Sequence, residues 1–91
     1  MIYLLCRNRV ADFLKGKTVF SSNAGAHQGA GLRLVNIWRS IEVPNNIFFM
    51  FEVANMDKAR DFISNPEAAK AGKASGVIDG EYHFIEDAEV Y

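Results

Sequence analysis

Apolar residues recur along this chain either with a period of two and in short continuous runs, or with a period near 3.6, which are the patterns of strands and helices respectively. Stretches with strand character lie at residues 2–10, 32–42, 47–54 and 81–86. Helical periodicity covers residues 11–28 and 56–75. We expect a break in the first helix near Ser21-Ser22-Asn23, and a restart of the second at Asn65-Pro66, because Asn caps helices and Pro suits their first position. The Asp79-Gly80 pair predicts a turn before the last strand.

The order strand, helix, strand, strand, helix, strand is the split β-α-β pattern of a ferredoxin-like α+β fold. Right-handed crossovers place the first and third strands at the centre of a four-stranded antiparallel sheet, with the helices on one face. We expect residues 1–91 to form a single domain of this kind. In the third strand, Phe48 and Met50 point away from the helices, and a two-layer monomer leaves them uncovered. These apolar side chains predict a homodimer in which two such sheet faces pair.

Composition and charge narrow the possible classes of function. Hydrophobic residues make up 49% of the chain, which is too apolar for a disordered segment. Ten basic and eleven acidic residues are spread along the chain and give a net charge of -1, so the basic surface of a nucleic-acid-binding protein is missing. No apolar run approaches the roughly 20 residues that span a bilayer, and no signal peptide is recognisable. One cysteine cannot form an internal disulfide, so we expect a cytoplasmic protein. The charge balance and the short apolar runs lead us to expect that it binds neither nucleic acid nor membrane.

Two histidines are the candidate acid–base groups, because an imidazole titrates near neutral pH. His27 lies at the end of the first helix, beside its apolar face, where it could act as a general base or interact with the last carbonyl groups of the helix. His83 lies between Tyr82 and Phe84 in the last strand, and we expect it at the dimer interface. The two histidines lack the spacing of metal ligands, so no metal site is predicted. Cys6, inside an apolar strand, is expected to be a buried and unreactive thiol.

Short motifs of caps, turns and core positions run through almost the whole chain. They are Val10-Ala11-Asp12-Phe13, Pro44-Asn45, Phe51-Glu52-Val53, Ala59-Arg60-Asp61-Phe62, Ser64-Asn65-Pro66-Glu67 and Gly76-Val77. In this order they resemble the dimeric α/β-barrel superfamily, which pairs two ferredoxin-like sheets into one barrel. The superfamily includes antibiotic-biosynthesis-type monooxygenases, haem-degrading monooxygenases, muconolactone-isomerase-like enzymes and stress-responsive proteins, and its small uncharacterised bacterial members look most similar to this chain. Relatives often carry Trp-Lys in the first helix where this chain has Gly16-Lys17, a difference that would enlarge a cleft or loosen the helix.

The resemblance implies a small-molecule site in a cleft between the sheet and the helices. In the monooxygenase branch an Asn and a Trp bind and orient an aromatic substrate, and Asn36 and Trp38 share one face of the predicted second strand. The alternative is that Trp38 is a packing residue. With Phe20 and Phe62 these two are the predicted substrate-binding residues, and His27 is the predicted catalytic residue.

Two classes of function stay open at this point. One is a cofactor-independent monooxygenase or isomerase that acts on a hydrophobic or aromatic compound, since an electron-rich substrate can itself reduce oxygen. The other is a non-catalytic homodimeric stress-response or binding module whose cleft is filled by side chains. A haem-degrading oxygenase is a third reading, which requires a histidine in an axial position. No cofactor is predicted, and an open cavity of a few hundred Å³ would favour the enzyme.

Overall fold

The computed structural model describes residues 1–74 and 76–91, apart from the side chain of Ala71. Its elements are β1 (Ile2–Val10), α1 (Phe13–Ser22), α2 (Ala24–Gly29), β2 (Leu32–Arg39), β3 (Asn46–Val53), α3 (Met56–Ser64), α4 (Pro66–Ala74) and β4 (Val77–Glu86). The strands form one antiparallel sheet in the order β2-β3-β1-β4. The first and third strands are therefore central, and the predicted ferredoxin-like α+β fold is confirmed.

Short polar side chains set where the helices begin and break. The carboxylate of Asp12 accepts the backbone N–H of Lys15 at 3.0 Å in front of α1. The amide oxygen of Asn55 accepts the N–H of Lys58 at 3.0 Å in front of α3. Between α1 and α2 the chain breaks at Asn23, as predicted, and the side chain of this residue donates to a carbonyl of α1 at 2.9 Å. These caps satisfy backbone groups that the ends of helices otherwise leave unpaired.

The second helical region restarts where the sequence predicts. Asn65 Oδ1 accepts a backbone N–H of the first turn of α4 at 2.8 Å, and Pro66 is the first residue of that helix. The helix is described as far as Ala74, and its predicted end at Ser75 lies outside the described residues. Gly76 then takes a φ of 79°, which glycine adopts without strain, and directs the chain into β4. No helix in the described residues is long and apolar enough to cross a bilayer.

The last strand begins earlier than predicted, and the expected turn at Asp79-Gly80 is wrong. Asp79 lies within β4, opposite Arg9 of β1. Arg7 and Arg9 hold the Asp79 carboxylate in ion pairs of 3.1 and 2.7 Å, which keep this turn-favouring pair in an extended ladder. A register shift at this end of the β1–β4 ladder leaves Ile78 as an extra residue.

A bulge in β2 decides which of its residues face the helices. Leu34 lies opposite Phe51, whereas Asn36 lies opposite Met50, so Val35 is an extra residue between the two pairs. Because β2 is at the edge of the sheet, the extra residue disturbs only one ladder. Strict alternation along the sequence predicts which β2 side chains face the helices. Beyond the bulge this assignment is reversed: the side chains predicted to face the helices face away from them, and the others face the helices.

The two faces of the sheet have different environments. The face under the helices, here called the helix face, carries the most buried side chains of the strands: Leu4, Cys6, Leu32, Phe49, Phe51 and Val53. Ala59 of α3 packs on them and is fully buried. The opposite face, here called the open face, carries Tyr3, Leu5, Trp38, Phe48, Met50, His83 and Ile85. Phe48 and Met50 thus lie on the face away from the helices, as predicted.

Candidate functional site

A cavity of about 560 Å³ separates part of the helix face from α1, α3 and α4. Its volume is within the range of small-molecule sites, about 300 to 1,000 Å³. Its apolar lining comes mainly from Phe20, Ile37, Ile47, Phe49, Phe51 and Phe62. Gly16 of α1 is buried in its wall, at the position where relatives often carry Trp. Because Gly16 has no side chain, it takes up little of this space.

The imidazole of His27 lies in this wall, among three phenylalanine rings. Its ring centre is 4.9 Å from that of Phe20, 5.1 Å from that of Phe51 and 5.5 Å from that of Phe62. The break at Asn23 makes α2 a separate short helix, and this helix turns His27 inward over the sheet. The structure thus brings together Phe20, His27 and Phe62 of the predicted site.

Burial among apolar rings lowers the pKa of His27 below its ordinary value, so the imidazole is neutral at pH 7. Within residues 1–74 and 76–91, neither ring nitrogen has a hydrogen-bond partner. A neutral imidazole offers one nitrogen that accepts a proton and one that donates. His27 can therefore serve as a general base towards a ligand in the cavity.

Asn36 and Trp38 do not line this cavity, which corrects the expectation that they share the cleft with His27. The bulge at Val35 is the physical reason, because it places both residues on the open face. Trp38 lies opposite Phe48 there and is 44% exposed. Trp38 is also not a core packing residue, which was the alternative interpretation.

Sequence reasoning missed two polar residues at the β4 side of the cavity. Asn8 of β1 and Tyr82 of β4 both lie on the helix face and line the cavity. Burial and the nearby Cys6 raise the pKa of Tyr82, while a hydrogen bond with Asn8 lowers it, and the net effect is a rise. Burial raises the pKa of Cys6 to about 12, so this thiol stays protonated. A polar residue at an inward position of an otherwise apolar strand was the signal that could have identified Asn8.

The open face combines an apolar centre with charged groups that are paired within the chain. Arg7 contacts Asp79 and Glu81, each at 3.1 Å, at one end of the face. The hydrogen bond from Arg7 and the neighbouring His83 lower the pKa of Glu81. His83 Nε2 lies 3.5 Å from a carboxylate oxygen of Glu81, so this histidine is on the face opposite to His27. In the described residues, no three His, Cys, Asp or Glu side chains come together in a metal-binding group.

No protein-family model matches the sequence, and no curated protein is similar to it. Solved structures, by contrast, match almost the whole chain. A Bordetella bronchiseptica protein provisionally named as an antibiotic biosynthesis monooxygenase has a TM-score of 0.76 at 16% identity, with 97% of each chain covered. A point mutant of SnoaB, a cofactor-independent oxygenase from Streptomyces nogalater, has a TM-score of 0.75 at 15% identity, with 98% of this chain and 94% of that chain covered.

A NIPSNAP family protein of unknown function from Agrobacterium tumefaciens is similar as well, with a TM-score of 0.70 at 16% identity over 100% of this chain and 91% of that chain. The similar structures therefore include named oxygenases and proteins without a known activity. At such low identity a structural likeness shows the fold and not the reaction. The predicted resemblance is confirmed at that level: the chain has the ferredoxin-like fold of the antibiotic biosynthesis monooxygenases and the NIPSNAP proteins.

Proposed function

We propose that this protein is a homodimeric cytoplasmic enzyme that converts an aromatic compound without a cofactor, as a monooxygenase or an isomerase. The observation that carries the proposal is the His27 imidazole in the wall of an open, phenylalanine-lined cavity of about 560 Å³, where its nitrogens have no hydrogen-bond partner among the described residues. The likeness to SnoaB, which is a cofactor-independent oxygenase, supports the monooxygenase form. The open volume argues against the alternative of a binding module whose cleft is filled by side chains.

In the monooxygenase reaction, His27 removes the proton of a phenolic hydroxyl and produces an electron-rich phenolate. The phenolate transfers one electron to O₂, and the resulting radical pair combines at the ring carbon opposite the oxygen. The hydroperoxide formed there loses water and leaves a quinone. For 1-naphthol the balance is one O₂ consumed, with one 1,4-naphthoquinone and one water formed. In the isomerase reaction, the same base moves a proton between two carbon atoms and consumes no O₂.

An oxygen electrode together with quinone absorbance tests this proposal on a panel of small phenols and quinols that includes 1-naphthol. We expect uptake above the protein-free rate, with one quinone formed per O₂. His27→Phe keeps an aromatic ring in the wall and removes the base, so the rate should fall by a factor of about 10² to 10⁴. His83→Phe, the same change on the open face, is the matched control and should retain the rate. Substrate turnover without O₂ uptake would refute the monooxygenase reaction and support the isomerase reaction. No turnover of any panel member would refute both reactions.

The homodimer rests on the open face. Its apolar centre includes Leu5, Phe48 and Met50, and a self-complementary pairing of two such faces would cover them. Sedimentation velocity at micromolar concentration should show a species of about twice the 10.2 kDa chain mass. Met50→Glu places a charge in the centre of the interface and should give the monomer. Leu14→Glu introduces the same charge on an exposed helix position and should leave the dimer intact. A wild-type protein that sediments only as the monomer would refute this part of the proposal.

A further inference from the structure

We infer that Asn8 and Tyr82 form a recognition site for a ligand oxygen, so that the cavity selects aromatic compounds carrying an oxygen at each of two opposite ends. One oxygen lies at His27 and the other at the Asn8–Tyr82 pair. This inference rests on the proposed function, because it requires an aromatic ligand in the same cavity.

The ladder between β1 and β4 places the two side chains next to each other. Tyr82 lies opposite Cys6, and Gly80 lies opposite Asn8, so the four residues form two adjacent rows of the helix face. The Asn8 amide lowers the pKa of the Tyr82 hydroxyl, which is expected of two polar groups that are near each other. Both residues line the cavity. The pair therefore places two polar side chains at that end of the cavity.

Gly80 determines how the Asn8 amide is oriented. A Cβ atom at Gly80 would overlap with Asn8 Oδ1 and would lie 3.2 Å from the carbonyl oxygen of Arg7. Asn8 Oδ1 thus lies over the bare backbone of Gly80, where it is buried and has no hydrogen-bond partner among the described residues. The NH₂ group of the amide consequently points away from Gly80. When the Tyr82 oxygen accepts one of its N–H groups, the phenolic proton and the second N–H are both available to a ligand oxygen.

The distance between the two ends follows from sheet geometry. His27 packs against Phe51 of β3, and Tyr82 is two strands away and one inward position further along. With strands about 4.8 Å apart and a rise of about 3.4 Å per residue, the backbone positions of Phe51 and Tyr82 are about 12 Å apart. The side chains at both ends reach into this span. A flat two-ring compound with one oxygen towards each end is therefore the ligand that we expect for this span.

Ligand fluorescence anisotropy with naphthalene-1,5-diol and 1-naphthol tests the inference, because the two compounds share one ring system and differ in the second oxygen. We expect wild-type protein to bind the diol about two- to tenfold more tightly, which is the range for one additional hydrogen bond. Tyr82→Phe removes the phenolic donor and should abolish the difference while 1-naphthol still binds. Tyr3→Phe, the same change on the open face, is the matched control and should preserve it.

Gly80→Ala is an independent test, because the atoms nearest to its Cβ belong to Asn8 and to the backbone of Arg7, so that it displaces the Asn8 amide first. Gly80 is not among the positive-φ glycines, so alanine introduces no φ strain there. This variant should also lose the preference for the diol, and circular dichroism checks that each variant is folded. Equal affinities of the wild type for both ligands, or a preference that survives in Tyr82→Phe and in Gly80→Ala, would overturn the inference alone. Failure of the wild type to bind either compound would overturn the proposed function together with it.

Discussion

Replacement of His27 by phenylalanine should make the protein more stable and, at the same time, inactive. The phenylalanine keeps a six-membered ring among Phe20, Phe51 and Phe62, whose centres lie 4.9 to 5.5 Å from that of the imidazole. Aromatic contacts of this kind contribute about 0.5 to 1.5 kcal/mol each, and the substitution retains them. What it removes is a polar ring that lacks hydrogen-bond partners among the described residues.

The magnitude follows from burial. An unpaired polar group that is fully buried costs about 1 to 3 kcal/mol, and His27 is only partly buried, so about 1 kcal/mol should be regained. In a domain of this size, 1 kcal/mol raises the melting temperature by about 4 to 8 °C. His27→Ala should behave in the opposite way and destabilise the fold by about 2 kcal/mol, because it loses the ring contacts and leaves a void. Both variants should lose the activity.

The pH dependence of the melting temperature gives a second test of His27 burial. Burial lowers the pKa of folded His27, so below about pH 6.5 the unfolded chain binds more protons than the folded chain. The penalty for protonating His27 in the folded chain is therefore absent above this pH and grows as the pH falls. The wild-type melting temperature should decline between pH 7 and pH 5, and the decline should be smaller in His27→Phe.

Thermal unfolding followed by circular dichroism, at several pH values, measures both effects. A destabilised His27→Phe protein would mean that the imidazole nitrogens have partners in the folded chain. A variant with wild-type turnover would show that His27 is not the base. Either result would refute the reasoning, and the first would do so without any knowledge of the substrate.

Three further outcomes follow from the same structure. Gly16→Leu fills the cavity wall from α1 and should weaken 1-naphthol binding at least tenfold in anisotropy measurements, while the folded state is retained. Cys6, whose pKa is raised to about 12, should react with iodoacetamide at pH 8 only as fast as the protein unfolds, which mass spectrometry of the native and denatured protein would show. Burial raises the pKa of Asp79, but Arg7 and Arg9 outweigh this and lower it overall, so its stabilisation is present above about pH 4 and lost in stronger acid. The melting temperature of Asp79→Asn should accordingly fall less than that of the wild type between pH 5 and pH 2.

Local signals in the sequence predicted the elements closely. The bounds of β1 match the predicted strand at 2–10, and the break in the first helical region occurs at Asn23. Asn55 and Asn65 cap the helices that follow them, as expected from their side chains. The order of these elements was sufficient for the topology, because crossover handedness leaves few arrangements.

Features that depend on distant parts of the chain could not be predicted in the same way. The bulge at Val35 arises where β2 pairs with β3, and no property of Val35 itself marks it. The Asp79-Gly80 pair has the composition of a turn, but the arginines of β1, about seventy positions earlier, hold it extended. Asn8 and Tyr82 become neighbours only through the β1–β4 ladder. His27 and Phe20 could be predicted as a pair because they are close in sequence and the helical period places both on one apolar face, although the structure divides this region into α1 and α2.

The sheet separates the cavity from the open face by a single polypeptide layer, and β3 contributes to both sides. Saturation mutagenesis along this strand should therefore yield two phenotypes that alternate with a period of two. Substitutions at Phe49 and Phe51 should change ligand affinity, and those at Phe48 and Met50 should change self-association. Peptide geometry links each residue to the next, so a backbone shift caused on one side also reaches the other. Variants of β3 are thus interpretable only when affinity and assembly are measured on the same sample.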